Sequence, residues 1–194
     1  DEKINNDIPD LECDFLVAIV TVPLEKNYYV RNLKNNKVVV TIHEIRESLS
    51  KENIPLINII LRTIYARILL YKRFNKSIPL SENGVVYTHD DTRGCIFDMN
   101  GHKEEIIYST NKPILCDFCT NKLKESKVSS QIIDVIKKEI KGIEKYLFFR
   151  VFDFIKKRPI ISLIISSASA VVLGILASVI ASFIYESLKY SSCT

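Results

Sequence analysis

An uncharged stretch near the C-terminal end of the chain constrains its fold more than any other feature. Residues 160–185 form a run of 26 residues without an Asp, Glu, Lys or Arg side chain. A helix of about 20 apolar residues crosses the hydrocarbon core of a bilayer, whereas the buried helices of soluble proteins are usually shorter and interrupted by polar residues. The stretch therefore predicts one transmembrane helix over residues 159–186, followed by a short tail over residues 187–194.

The charges beside this stretch predict its orientation. Lys156, Lys157 and Arg158 precede it directly, whereas only the opposite charges of Glu186 and Lys189 follow it. Because basic residues tend to stay on the cytoplasmic side, we expect a single-pass membrane protein whose N-terminal domain is cytoplasmic. The expected topology is that of a tail-anchored protein with its last residues outside.

Small residues recur at every fourth position of the predicted span. The run begins at Ser162, and its expected oligomerisation face consists of Ser166, Ala170, Gly174, Ser178 and Ser182. Small side chains at this spacing let two helix backbones approach closely, and serine hydroxyls can form hydrogen bonds across the contact. The pattern predicts a homo-oligomer; the alternative is that Ser, Ala and Gly are simply common in membrane helices.

The net charge of +4 is not spread evenly along the chain. Residues 137–158 contain eight basic and three acidic side chains, so the preceding residues are close to neutral. Residues 128–158 are predicted to form a basic amphipathic helix that binds anionic membrane lipid, with Lys156, Lys157 and Arg158 at the membrane surface. The alternative is a solvated helix whose charges serve only topology. We expect no nucleic-acid partner, because the globular part is not basic.

Residues 1–127 have the patterns of one small cytoplasmic α/β or α+β domain. Continuous runs of β-branched and other apolar residues predict buried strands over residues 15–22 and 37–42. Apolar residues spaced along one helical face predict a helix over residues 56–73. Shorter apolar runs predict two short strands, over residues 85–88 and 106–108. A second long helix is predicted over residues 129–154.

Three of the five cysteines and one histidine have the spacing of a metal site. Cys116 and Cys119 form a Cys-x-x-Cys pair, in which two thiolates of one turn bind the same ion. His89 and Cys95 precede this pair and would complete a tetrahedron. Because no coordination position would then stay open, we expect a structural Zn²⁺ in a knuckle over residues 89–123.

The fourth ligand and the chemistry of the cysteine pair leave alternatives open. His89 is the preferred fourth ligand, His102 is its rival, and Cys13 comes third. A disulfide is disfavoured in a reducing cytoplasm. A thioredoxin-like redox pair is the other alternative, and Asp117 and Phe118 between the two thiols, with no helix-capping pattern expected after them, argue against it.

His89, Cys95 and the pair Cys116 and Cys119, followed by Leu123, form a longer pattern. It resembles the archaemetzincins, a family of metzincin-type zinc peptidases, over residues 79–123. In that family a catalytic HExxHxxGxxH motif is followed by Cys-x4-Cys-x-Met-x17-Cys-x-x-Cys. The resemblance places His89 at the position of the third catalytic histidine. It places Cys95, Cys116 and Cys119 at the positions of three structural cysteines. It implies a metzincin-like α/β remnant with an intact structural zinc site.

The catalytic residues of that family are missing from this chain. The positions of HExxH read PLSEN at residues 79–83, and Val86 stands at the glycine position. Asp90 replaces the first cysteine, Phe97 replaces the methionine, and the loop is one residue longer. Two zinc ligands and the general base are therefore absent, so we expect no peptidase activity. His89 is then free to complete the cysteine site.

These patterns together predict a non-catalytic sensor or interaction protein anchored in a membrane. Its cytoplasmic domain would bind a ligand or a protein partner and pass that event to a self-associating span. By analogy, such chains resemble bacterial defence effectors that act against phage at the inner membrane. The alternatives are a scaffold subunit that tethers a cytoplasmic partner, and a membrane-anchored relative of metallopeptidases.

Overall fold

The computed structural model describes residues 2–81 and 87–191. Within them the chain divides into two compact units, one ending at Tyr146 and the other beginning at Leu147. The sequence predicts a boundary between residues 127 and 128. The structure instead groups residues 128–146 with the first unit.

A three-stranded mixed sheet lies in the N-terminal part of the first unit. Its strands are β1 (Leu16–Val20), β2 (Val30–Asn32) and β3 (Lys37–Thr41), in the order β1-β3-β2. Strand β1 runs parallel to β3, and β2 runs antiparallel to it. All five residues of β3 are buried, as expected for a central strand with a Val-rich sequence. The strands predicted over residues 15–22 and 37–42 are confirmed as β1 and β3.

Helices are the other regular elements described in the first unit. Its α-helices are α1 (Glu2–Asp7), α2 (Ile45–Lys51), α3 (Ile57–Arg73), α4 (Asp117–Glu125) and α5 (Ser130–Glu139). Three short 3₁₀ helices lie at Glu25–Asn27, Lys103–Ile107 and Ile140–Gly142. The helix predicted over residues 56–73 is confirmed as α3. The fold class is thus a mixed α/β fold, mostly helical, with a small sheet.

Helix α3 joins the separate parts of the hydrophobic core. Leu69 shares one cluster of buried residues with Ile133 of α5, and Ile59 shares another with Ile45 of α2. Tyr71 packs in a third cluster with the valines of β3. Nine of the 17 residues of α3 are buried, so the other elements enclose much of the helix.

The structure corrects the prediction of one helix over residues 128–158. Helix α5 ends at Glu139, and a 3₁₀ turn follows before the next helix begins in the second unit. Ile140 and Ile143 are buried in the core, and the backbone N–H of Lys112 donates to the carbonyl of Ile143 at 2.7 Å. These tertiary contacts end the helix, although its amphipathic pattern continues in the sequence.

The two short predicted strands also differ from the structure. The prediction over residues 106–108 is wrong, because the 3₁₀ helix Lys103–Ile107 occupies that segment and Ile106 is buried beside α2. A three-residue apolar run is too short to specify a strand without a partner. Of residues 85–88, the first two lie outside the described residues, and Tyr87 and Thr88 lie in no strand.

The second unit consists of helices α6 (Leu147–Lys157) and α7 (Pro159–Ser191). Within the described part of the chain, one helix is long and apolar enough to cross a membrane, namely Pro159–Tyr185 in α7, and none of its apolar window is buried. The helix predicted over residues 159–186 is therefore present. Pro159 occupies its first turn, where the missing backbone N–H leaves no bond unmade.

Helix α6 separates its apolar and charged side chains. Its large exposed apolar residues are Leu147, Phe148, Val151, Phe152, Phe154 and Ile155. The rings of Phe148 and Phe152 stack with centroids 6.5 Å apart, and the ammonium of Lys156 lies 4.4 Å from the Phe152 centroid. At 100° per residue these apolar side chains share one face, and Arg150 and Lys157 lie on the other.

Packing of α5 into the core predicts that substitutions at two neighbouring residues change the free energy of unfolding by very different amounts. Ile136→Ala should lower the free energy of unfolding by about 2–5 kcal/mol, because Ile136 is 3% exposed and its loss leaves a cavity. The control Val135→Ala removes a side chain that is 48% exposed and should change stability by about 0.5 kcal/mol or less. Chemical unfolding of the full chain in detergent measures both. Equal effects would contradict the assignment of α5 to the core.

Candidate metal centre

Local structure brings the four predicted ligands together from three segments. Cys116 is the N-cap residue of α4, and its sulfur accepts a hydrogen bond from the backbone N–H of Cys119 at 3.5 Å. Both thiols of the Cys-x-x-Cys pair therefore lie at the start of one helix. Cys95 forms an isolated β-bridge with the segment before α4, and His89 forms another with Asp98.

The ligand atoms of these residues converge on one point. One ring nitrogen of His89 and the sulfurs of Cys95, Cys116 and Cys119 all lie within 4.8 Å of one another. Cys95 and Cys119 are buried, Cys116 is half-buried, and all three are free thiols. Nε2 of His89 is 3.6 Å from Sγ of Cys116. Four protein ligands at these distances could hold a metal ion.

Neighbouring thiols shift the pKa values of Cys95 and Cys119. The Cys119 thiol donates a hydrogen bond to Cys95, which lowers the pKa of Cys95 and raises the pKa of Cys119. Burial adds to the increase at Cys119 and opposes the decrease at Cys95, because a buried thiolate loses hydration. The pKa of Cys95 is nevertheless lowered overall. Three sulfurs this close cannot all ionise without a cation among them, whereas a bound metal ion deprotonates each one that it coordinates.

Asp98 orients His89 for coordination. The Nδ1 atom of His89 lies 3.0 Å from the carbonyl oxygen of Asp91 and 3.4 Å from Oδ1 of Asp98. A proton on Nδ1 therefore donates to the carbonyl of Asp91 beside the Asp98 carboxylate, and the lone pair of Nε2 is directed towards the cysteines. The other carboxylate oxygen, Oδ2 of Asp98, accepts the backbone N–H groups of Arg93 and Cys95 at 3.0 and 2.9 Å. The carboxylate thus holds the loop through Oδ2, whereas Oδ1 lies beside the ring and accepts no hydrogen bond within the described residues.

Charged residues around the loop also contact the cluster. Arg93 forms an ion pair with Asp91 and a side-chain hydrogen bond with Cys116, and these contacts raise the pKa of Arg93. The same guanidinium lies 6.0 Å from the ring centroid of Phe118, one of the two residues between the paired cysteines. The guanidinium of Arg93 therefore places one positive charge at the edge of the cluster.

Sequence reasoning found the four residues of this cluster but missed Asp98. Its position three residues after Cys95 is the only local signal, since a short acidic side chain at that spacing can accept the N–H groups of its own loop. The rival ligand His102 precedes the 3₁₀ helix Lys103–Ile107 and is not part of the cluster. Cys13 is exposed near the N-terminus and is not part of it either.

Comparison with models of known protein families found no match to this chain, and comparisons with curated proteins and with solved structures found none either. Lys156, Lys157 and Arg158 and the small residues of α7 belong to the second unit and take no part in this site.

The convergence of the four ligands predicts the metal content of a set of variants. The purified chain should carry about one transition-metal ion, and Cys119→Ser and His89→Ala should lose it because three ligands bind much more weakly than four. Elemental analysis by mass spectrometry measures the ratio of metal to protein. Cys13→Ser and His102→Ala are matched controls and should keep the ion. Loss of metal in the controls alone would contradict the site.

Proposed function

We propose that this protein is a non-catalytic interaction protein, anchored in a membrane by α7, whose cytoplasmic domain is stabilised by structural Zn²⁺. The domain binds a ligand or partner and passes that event to self-associating copies of α7. One observation carries the proposal: a closed cluster of four metal ligands occurs in the same chain as a long apolar helix whose apolar window is not buried.

Zinc is the ion that fits the donor set best. Three thiolates and one imidazole are soft to borderline ligands, which favour Zn²⁺ over Mg²⁺ or Ca²⁺. A tetrahedral zinc ion, with Zn–S of about 2.3 Å and Zn–N of about 2.0–2.1 Å, holds nitrogen and sulfur roughly 3.6 Å apart. The distance between Nε2 of His89 and Sγ of Cys116 is 3.6 Å, which supports this assignment.

The closed ligand set supports a structural role for the metal. Catalytic zinc sites keep a coordination position for water or substrate, whereas four protein ligands fill the tetrahedron. His89, which the archaemetzincin resemblance places at a catalytic position, would here complete the cysteine site. The kinship itself stays a prediction, and we expect no peptidase activity from this site.

Membrane insertion of α7 is supported by its length and exposure. The span Pro159–Tyr185 has 27 residues, and its length of about 40 Å exceeds the hydrocarbon core of about 30 Å, so it can cross with a tilt. Large side chains along it, such as Leu163 and Phe183, are more than 60% exposed. In water, each of these exposed side chains would lack the roughly 1.5–3 kcal/mol of stabilisation that burial provides. In a membrane, lipid would cover all of them.

Helix α6 supports the proposed orientation and a lipid partner. Its exposed aromatic face suits the boundary between headgroups and acyl chains, with the helix lying along the membrane surface. Lys156, Lys157 and Arg158 directly precede α7, and each adds about 1 kcal/mol of attraction to anionic headgroups. Basic residues at this end of the span favour a cytoplasmic first unit.

The helical geometry of α7 narrows its proposed contact face. Residues four apart differ in direction by about 40°, so the run from Ser162 to Ser182 winds through about 200° and cannot face one partner. Four small residues lie within about 60° of one another: Ala170, Gly174, Ala177 and Ala181. Ser166 and Ser178 flank this narrow face, and Ser182 is turned away from it.

This geometry predicts which substitutions disrupt self-association. Ala170→Leu with Gly174→Leu should abolish crosslinked oligomers of the full chain in liposomes, because leucine side chains hold the backbones apart. A Cβ at Gly174 meets no atom within 4 Å, so the single chain tolerates the change. Ala168→Leu is the control, since it lies about 160° from Ala170 on the helix and should crosslink normally. Unchanged crosslinking in the double variant contradicts the proposed face.

The same variants separate an effector from a scaffold in cells. If self-association perturbs the membrane, induced expression of the wild-type chain should depolarise cells loaded with a potential-sensitive dye. Ala168→Leu should depolarise them equally, and the double variant at Ala170 and Gly174 should not. Depolarisation by all three would contradict the role of the contact face, and depolarisation by none would favour a scaffold.

A further inference from the structure

A cavity in the first unit is lined by none of the four proposed metal ligands. It has a volume of about 260 Å³ and lies between strand β2, helix α3 and the segment Phe97–Met99. Its polar lining includes Arg67, Ser81 and Tyr87, and tyrosine rings of the segment before β2 lie at its side. At roughly 30 Å³ for each water, the volume would hold about nine waters, far more than one anionic group needs.

Arg67 brings a buried positive charge to this cavity. Its side chain is 8% exposed, and Nε donates to Oδ1 of Asn32 at 2.9 Å. Among residues 2–81 and 87–191, no carboxylate forms an ion pair with Arg67, and no other hydrogen bond of its guanidinium is present. A buried guanidinium stays charged, and leaving it without a counter-charge is costly.

A second buried arginine adds to the positive potential. Arg62 is 1% exposed and donates to the hydroxyl of Tyr29 and to the backbone carbonyl of Asp98, both at 3.0 Å. Its Nε has no acceptor in the described part of the chain, and its side chain forms no ion pair there. Both acceptors are formally neutral, so two buried cationic side chains of α3 raise the positive potential of the same poorly hydrated region.

Asn32 orients the other donors of the cavity. Its backbone N–H donates to Oγ of Ser81 at 2.9 Å, and its Nδ2 donates to the hydroxyl oxygen of Tyr87 at 2.9 Å. Because both hydroxyls accept from Asn32, each keeps its own proton to donate elsewhere. Asn32 is 3% exposed, so this network is fixed within the fold.

We infer that this cavity binds a small organic oxyanion, by its size a phosphate monoester, with Arg67 as the anchoring cation and the hydroxyls of Ser81 and Tyr87 as further donors. The guanidinium and the two hydroxyls present convergent donors to one oxyanion, which is the chemistry that proteins use for phosphate. The remaining volume, beside the aromatic ring of Tyr28, accepts the organic part of the ligand.

The cavity and the metal centre share one wall. The backbone N–H of His89 donates to the carbonyl of Phe97 at 3.2 Å, and that of Met99 donates to the carbonyl of His89 at 3.0 Å. Asp98 faces His89 with its carboxylate and Arg62 with its carbonyl. This inference deepens the proposed function, because the role of the ligand as a signal rests on that function. Binding of the ligand itself is measured separately from metal content and from oligomerisation.

Calorimetric titration of the full chain in detergent tests the inference. The probes are adenosine 5′-monophosphate, adenosine, inorganic phosphate and benzoate. Adenosine 5′-monophosphate should bind at micromolar to millimolar concentration and inorganic phosphate more weakly, whereas adenosine should not bind. Failure of both phosphates to bind, or equal binding of adenosine, overturns the inference. Binding of benzoate alone overturns the assignment to phosphate.

Three variants locate the binding within the cavity. Arg67→Met should abolish binding, and Ser81→Ala and Tyr87→Phe should each weaken it about tenfold, because a hydrogen bond to a charged group is lost. If Arg67→Met does not fold, the two hydroxyl variants still decide, since each removes a single oxygen atom. Tyr71→Phe is the control, because its hydroxyl donates to Asp14 instead and should not affect binding. Equal affinity in all variants overturns the inference, and a metal content unchanged from wild type shows that the proposed zinc site is intact.

Discussion

The convergence of His89, Cys95, Cys116 and Cys119 is the constraint on which the centre of the first unit depends. Among the described residues between Tyr87 and Cys116, the backbone forms only two isolated β-bridges and one 3₁₀ helix. Such a segment has few hydrogen bonds of regular structure to hold it, so ordering it has a large entropic cost. A bound ion that joined His89 to the start of α4 would close this segment into a loop, and its binding energy would become folding energy.

Asp98 carries this constraint from the metal ligands into the rest of the domain. Its carboxylate orients His89 and accepts two N–H groups of the loop, and its carbonyl accepts from the buried Arg62. A displacement of His89 would therefore change the wall of the cavity next to Arg67. In the proposed account, the wall of the cavity cannot move independently of the metal. This coupling would give the ligand-binding cavity of a small domain a fixed geometry.

Local patterns in the sequence predict much of this structure. The Cys-x-x-Cys pair predicts two ligands because both thiols lie on one helical turn, and the periodicity of α3 and the Val-rich sequence of β3 are equally local. The interruption after α5 is not predictable in this way, since it depends on burial of Ile140 and Ile143 against distant residues. The hydrogen bonds of Asn32 to Ser81, Tyr87 and Arg67 join residues 35 to 55 positions apart. No periodic pattern marks such contacts.

The central claim concerns the coordination of the ion, and zinc K-edge X-ray absorption of the purified full chain tests it most directly. The account predicts a four-coordinate zinc with three sulfurs at about 2.3 Å and one nitrogen at about 2.0–2.1 Å. A shell that contains a water oxygen would indicate an open, catalytic type of site, and a shell dominated by oxygen would indicate that the cysteines are not ligands. Either result would contradict a closed structural site formed by His89 and the three cysteines.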